Sequence, residues 1–263
     1  MADHRLVFVG GLHRSGTTPL ARCLATHPQV SGFSGTSATE DEGQHLQTVY
    51  PPAAVYGGPG RFAFDPAAHL TEDSPLAVES SAVRLMEQWR PHWDAERPVW
   101  VEKSPPNLVM TRFLQALFPD AYFLVVVRHP VIVTLSTRKW ARRMPLRRLA
   151  EHWFTAHDLF SADAPHLRRL HVVKYEELVT SPERALAGIG TFLELDGPIS
   201  AETLQGHRSS SYESQWENWR TSRQPVRHAR YTKLVRAFED RARHYGYSMR
   251  DLTVAEPFPG NSD

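Results

Sequence analysis

The chain has a single cysteine, Cys23, among 263 residues, so no internal disulfide can form and the fold has to be held by packing. It also lacks net charge. Its 30 basic and 29 acidic side chains leave +1 at neutral pH, so nothing global attracts nucleic acid or an anionic membrane, and any cationic site must be local. No apolar run approaches the roughly 20 residues of a membrane span, and residues 1–5 enter the first apolar run without a signal-peptide pattern. A soluble, cytoplasmic protein is expected, with neither nucleic acid nor membrane as partner. Fourteen histidines are present, but no HExxH and no paired His/Cys spacing, so no metal site is expected. There is no internal repeat and no linker, and 41% hydrophobic content is enough for a full core. One domain over residues 1–263 is the expectation.

What is present is concentrated first at Leu6-Val7-Phe8-Val9-Gly10-Gly11-Leu12-His13-Arg14-Ser15-Gly16-Thr17-Thr18. An apolar run breaks into a glycine-bounded turn and then hydroxyl residues, the pattern of strand, phosphate loop and helix. Gly11 and Gly16 let bare backbone approach an anion at a helix N-terminus. Ser15, Thr17 and Thr18 add hydroxyl donors. The nucleotide-hydrolase loop needs a lysine after its second glycine, where this chain has Thr17. The cation is Arg14, inside the loop beside His13.

Strand and helix patterns alternate after that. The first helix runs through Leu20 and Leu24 to His27-Pro28, and a short strand follows near Val30–Phe33. Residues 34–66 are rich in Gly and Pro, with a helix conceivable only over Glu40–Val49; Tyr50, Tyr56, Phe62 and Phe64 mark the stretch as a packed acceptor-side loop or lid. Ser74-Pro75 reads as a helix start before the stripe Val78, Ala82, Leu85, Met86 and Trp89. Pro98–Val101 is a strand leading to Glu102-Lys103, and Ser104-Pro105 opens the next helix. Tyr122–Val127 is an unbroken apolar run typical of a central parallel strand, and it delivers Arg128. His129-Pro130 opens a helix carrying Ser136, and Leu170–Lys174 forms a strand ending at Tyr175. Residues 200–230 read as loop-rich, and a last helix is expected from about Tyr231 to His244.

This alternation predicts an α/β, P-loop-type three-layer fold with a mostly parallel sheet flanked by helices. In such sheets ligands bind beyond the carboxyl ends of the strands. Arg14, Lys103, Arg128 and Tyr175 each follow a strand. A lone Arg or Lys there is ordinarily a solvated surface group; several along one edge, joined by helix N-termini, suit a polyanion.

The loop resembles the 5′-phosphosulfate loop of sulfotransferases that use 3′-phosphoadenosine 5′-phosphosulfate (PAPS). Val101-Glu102-Lys103-Ser104-Pro105 is similar to the lysine motif of tyrosylprotein sulfotransferases and their bacterial relatives. Val125-Val126-Val127-Arg128-His129-Pro130 with Ser136 resembles the 3′-phosphate-binding segment, and Val172–Leu178 the later strand with its donor-contacting tyrosine. The resemblance covers residues 6–178 and implies a PAPS-dependent sulfotransferase releasing PAP, with no metal. It assigns Arg14 and the loop residues His13, Ser15, Gly16, Thr17 and Thr18 to the 5′-phosphosulfate. Lys103 falls to the sulfuryl group, Arg128 and Ser136 to the 3′-phosphate, and Tyr175 to the donor. The implied acceptor is a hydroxyl of a small molecule or carbohydrate, with Trp216 and Trp219 as further stacking surfaces.

The general base departs from the family pattern. Where tyrosylprotein sulfotransferases have a glutamate soon after a His-Pro pair, this chain offers Ser34-Gly35-Thr36, and its acids come later, as Glu40-Asp41-Glu42. Glu42 is the first choice and His45, three residues on, the second. The alternative is that the acids only favour the N-terminus of a surface helix. A small-molecule kinase is the rival function, with a noncatalytic nucleotide-binding protein behind it. The missing loop lysine and the lack of a magnesium-binding carboxylate at a strand end weigh against the kinase.

Overall fold

Alternate residues of the first strand enter different cores. In β1 (Arg5–Gly10), Val7 and Val9 pack against Leu20, Cys23 and Leu24 of α1 (Thr17–Leu24), whereas Leu6 and Phe8 turn to Trp89, Trp93 and Phe113 on the other face. The same alternation recurs in the strand at Tyr122–Val127, where Leu124 and Val126 join the α1 side and Val125 and Val127 the far side. This follows from the period of two in a strand, and it gives three layers with the sheet in the middle. The computed structural model describes residues 4–204 and 210–259.

The sheet has five strands, all parallel, in the order β2-β3-β1-β4-β5, with β2 at Val30–Gly32, β3 at Val99–Lys103, β4 at Tyr122–Val127 and β5 at Leu170–Lys174. The chain builds β3 and β2 on one side of β1, then crosses to β4 and β5, so the switch point lies at β1. Ligand sites form at such a point, beyond the carboxyl ends of the strands. Helices α2 (Glu79–Trp89), α3 (Thr111–Leu117), α4 (Pro130–Thr137), α5 (Leu146–Asp163), α6 (Tyr175–Thr180), α7 (Pro182–Phe192), α8 (Ser210–Arg220) and α9 (Pro225–His244) complete the layers. No helix among the described residues is long and apolar enough to cross a membrane.

Several local expectations are corrected. Residues 40–49 form no α-helix: 3-10 turns at Thr39–Asp41 and Gly43–His45 flank an extended Glu42, and Glu40 and Asp41 have φ of 55° and 51°. Asp41 Oδ1 accepts hydrogen bonds from the amide and hydroxyl of Thr36, both at 2.7 Å, a local closure that competes with helix. α2 starts at Glu79, not at Ser74-Pro75, and Val78 is half exposed. Ser104-Pro105 opens a 3-10 stretch, Pro105–Val109, before α3. Within 200–230 lie α8 and the first turns of α9, which begins at Pro225 and not Tyr231; residues 205–209 of that segment lie outside the described residues. Trp216 and Trp219 are buried in the core between α8, α9 and α4, with Trp216 Nε1 donating to the Met249 carbonyl at 2.9 Å, so they are no stacking surface for an acceptor. Tyr50 and Phe62 of the 34–66 stretch are likewise core residues.

Candidate active site

The strand order places four side chains along one edge, Lys103 at the end of β3, Arg14 after β1, Arg128 after β4 and Tyr175 after β5. Between β1 and α1 the backbone turns through Arg14 at φ 73° and Gly16 at φ 108°. Gly16 is obligatory twice over. A Cβ there would fall 2.3 Å from the Tyr175 ring, and positive φ is strained for any other residue. Ser15 is buried, and its hydroxyl donates to the Leu12 carbonyl, so this side chain stiffens the loop and does not face the cavity.

A cavity of about 340 Å³ opens above the loop, lined by His13, Arg14, Gly16, Thr17, Thr18, Glu42, Arg128, Trp140 and Tyr175 among others. The Arg128 guanidinium lies 4.0 Å over the Tyr175 ring, and its Nη1 donates to the Arg14 carbonyl at 2.9 Å. Burial pulls its pKa below the usual arginine value, the signature of a cation short of water, which an anion would offset. Arg14 reaches 5.0 Å from the exposed Trp140 ring, and its Nε is buried without a hydrogen-bond partner among the described residues. His13 is sealed in the same way at Nδ1. Burial, then the positive charge of Lys103 and the proximity of His45, hold it down to about 3, so its imidazole is neutral at physiological pH.

Lys103 and Glu42 meet at the edge of this cavity. Lys103 Nζ donates to Glu42 Oε1 at 3.2 Å and to the Glu40 carbonyl at 2.9 Å, and both side chains are less than a tenth exposed. Glu42 Oε2 accepts from the Gln44 side-chain amide and lies 3.9 Å from His45 Nε2. A second cleft of about 190 Å³ adjoins on the β2 side, lined by Ala21, Ala25, Gly32, Phe33, Asp41, Val101 and Lys103; it shares Thr18, Arg22 and Glu40 with the first. Arg22 and Glu40 form an ion pair at 3.6 Å where the two spaces join.

The structure thus gathers His13, Arg14, Gly16, Thr17, Thr18, Glu42, Arg128 and Tyr175 around one space and Lys103 at its border. It does not bring Ser136 there. That hydroxyl is buried and donates to the Ile132 carbonyl at 2.7 Å within its own helix. His45 and Asp41 do not line the larger cavity. Two neighbours escaped the sequence reading. Trp140 sits in the cationic run Arg138 to Arg143, where one aromatic among charges was the available signal. Glu102, fully buried, was passed over beside Lys103, although an acid at the end of an apolar strand is itself unusual. Burial pushes its carboxyl up to about 7, against the Ser104 and Asn107 hydrogen bonds and the Lys103 charge, which favour ionisation; the neighbouring Glu42 raises it further. Among the described residues, no group of three or more His, Cys, Asp or Glu is placed to hold a metal.

A loop with an arginine in place of the nucleotide-hydrolase lysine, at the switch point of a parallel sheet and facing a buried lysine, defines an anion-handling transferase site. The sulfotransferase family model matches residues 7–198, and the chain belongs to that family. Protein-tyrosine sulfotransferase 2 of Gallus gallus is 25% identical over 198 residues, 72% of this chain and 50% of that protein. An uncharacterized protein of Aquifex aeolicus is 24% identical over 247 residues, 82% of this chain and 30% of that one. The chain spans half or less of the length of these curated relatives. Among solved structures, sulfotransferase STF9 of Mycobacterium avium superposes with a TM-score of 0.51 at 14% identity, covering 84% of this chain and 70% of that one. Sulfotransferase STF1 of Mycobacterium tuberculosis gives 0.50 at 18%, covering 78% and 71%. These two share the fold.

Proposed function

We propose that the protein moves a sulfuryl group from PAPS to an acceptor hydroxyl, with the nucleotide in the larger cavity. The observation that carries this is the edge of four strand ends, Lys103, Arg14, Arg128 and Tyr175, around a loop whose buried Arg14 Nε and His13 Nδ1 have no hydrogen-bond partner among the described residues. The donor supplies a sulfuryl group on a good leaving phosphate. Arg14, the free amides at the start of α1 and Thr17 and Thr18 suit the 5′-phosphosulfate. Arg128, braced on Tyr175, suits the 3′-phosphate; Ser136 would have to give up its bond to Ile132 to join it. Lys103 meets the charge that grows on the bridging oxygen, and Glu42 takes the acceptor proton. The domain is proposed to be one unit in which residues 34–66 form the acceptor side.

Acceptor and leaving phosphate must lie on opposite sides of the transferred group for in-line displacement. With the nucleotide over β1, β4 and β5, the smaller cleft toward β2 is the acceptor's approach, and its small side chains, set beside Arg22, Glu40, Asp41 and Lys103, suit a compact alcohol, phenol or sugar ring. Ala25→Phe should fill that cleft. Acceptor KM is expected to rise at least several-fold while the nucleotide dissociation constant stays within twofold; an unchanged KM for every accepted alcohol would move the acceptor elsewhere.

Calorimetry tests the donor. The 3′,5′-bisphosphate product PAP should bind far more tightly than magnesium-ATP, and equal binding would favour the small-molecule kinase. Arg128→Ala should weaken PAP by about 1.5–3 kcal/mol, a charge-assisted contact, and change the rate on bound donor much less.

A further inference from the structure

Glu102 lines neither cleft and forms no ion pair among the described residues, yet its carboxyl group has no exposure at all. Its partners explain where it points. Oε1 accepts from the Gly43 amide at 3.0 Å and from the Ser104 hydroxyl at 2.6 Å, and Oε2 accepts from Asn107 Nδ2. The Ser104 oxygen in turn accepts from the Gln44 amide at 2.9 Å. Consecutive backbone amides just after Glu42 are therefore held from β3, one directly and one through the serine. The Gly43 carbonyl is taken from the opposite side by Trp89 Nε1 at 3.0 Å. Gln44 completes the chain, giving its side-chain amide to Glu42 Oε2 and receiving the Ala53 amide on Oε1 at 2.9 Å. The fit is close enough that a Cβ on Gly43 would fall 2.4 Å from Glu102 Oε1.

We infer that Glu102, with Ser104, is a positioning residue that clamps the Gly43–Gln44 backbone so that the Glu42 carboxylate faces Lys103 at the cavity edge. The inference rests on the proposal that Glu42 is the base. A carboxylate suits the task because its two oxygens only accept, and three donors converge on them. Glutamine could keep Oε1 for Gly43 and Ser104, but its amide nitrogen would meet the Asn107 amide. Asn107 can answer by turning its unpartnered Oδ1 toward it, at the cost of its 3.2 Å bond to the Val9 carbonyl. Alanine removes the shared acceptor from all three donors, and only Asn107 Nδ2 keeps another partner, the Val9 carbonyl.

The test is a double-mutant cycle between Ser104→Ala and Glu42→Gln, read as single-turnover rate at saturating donor together with PAP affinity. Ser104→Ala should slow the wild-type background roughly 10- to 100-fold, the scale of a small misplacement, with PAP affinity within threefold. In the Glu42→Gln background it should slow the reaction no further, since a residue acting through Glu42 has nothing left to position. Glu102→Gln should retain most of the rate that Glu102→Ala loses; if the alanine variant does not fold, the cycle alone decides. Multiplicative losses in the two backgrounds, or a Ser104→Ala loss matched in PAP affinity, overturn the positioning role and leave the base assignment standing. A wild-type rate for Glu42→Gln overturns the base assignment itself.

Discussion

Glu42→Gln is expected to cut turnover by roughly 100-fold or more while leaving PAP affinity near wild type and lowering the melting temperature, because Lys103 keeps its burial and loses its anion. Glutamine preserves the size of the side chain and an oxygen for Lys103, so the loss isolates proton removal from packing. Glu42 is the acid that pairs with Lys103 at the edge of the larger cavity, although Glu40 and Asp41 line the smaller cleft. Asp41 spends one oxygen on two bonds to Thr36, and Glu40 pairs with Arg22 with its side chain 55% exposed. His45 stands behind Glu42, 3.9 Å from its far oxygen, and does not line the larger cavity. His45→Ala should accordingly be the milder change. Single-turnover rates for both variants at saturating donor give the ranking, and a reversed order would hand the proton to His45.

Lys103→Met should lower turnover by about 100- to 1,000-fold, the usual effect of deleting a donor aimed at charge that appears only in the transition state. The methionine fills most of the space, so nucleotide affinity should change far less than the rate. Stability should fall too, because Glu42 would keep its burial and lose its cation. The readouts are kcat with saturating substrates, PAP calorimetry and the melting temperature. A variant with wild-type kcat would remove Lys103 from the chemistry, and one whose kcat loss equals its loss of PAP affinity would make it a binding residue.

The frame of this site was legible because it depends on local pattern. An apolar run such as Tyr122–Val127 announces a buried parallel strand, and the residue after such a run stands at the sheet's carboxyl edge whatever the loops do. Arg128 and Tyr175 follow from that rule, Lys103 closes its own strand, and Arg14 comes in the loop that leaves β1. The segment over residues 40–45 follows no such rule, since its path is set by contacts from residues distant in sequence: Glu102 on β3, Ser104 just after it and Trp89 on α2. Helical spacing of Glu42 and His45 was a reasonable reading of isolated sequence, and tertiary hydrogen bonds overrode it. Ser136 failed for a different reason. Motif spacing placed it correctly on α4, but a hydroxyl in a helix can turn to its own backbone. At α8 the signal was present and unused: Tyr212, Trp216 and Trp219 follow the i, i+4, i+7 rhythm of a buried helix face, masked by the polar residues between them.

The contact between Arg128 and the Arg14 carbonyl has a consequence for how the nucleotide is sensed. Arg14 sits in a left-handed turn, a conformation that survives only where its surroundings insist on it. Here the insistence comes from the guanidinium proposed to recognise the opposite end of the donor. The two proposed anion seats would thus share a mechanical part: drawing Arg128 toward a 3′-phosphate would also bear on the peptide that carries Arg14. On the proposed reading, a donor lacking its 3′-phosphate would sacrifice alignment at the reacting end as well as a remote contact, so recognition of the nucleotide would be tied to readiness for transfer.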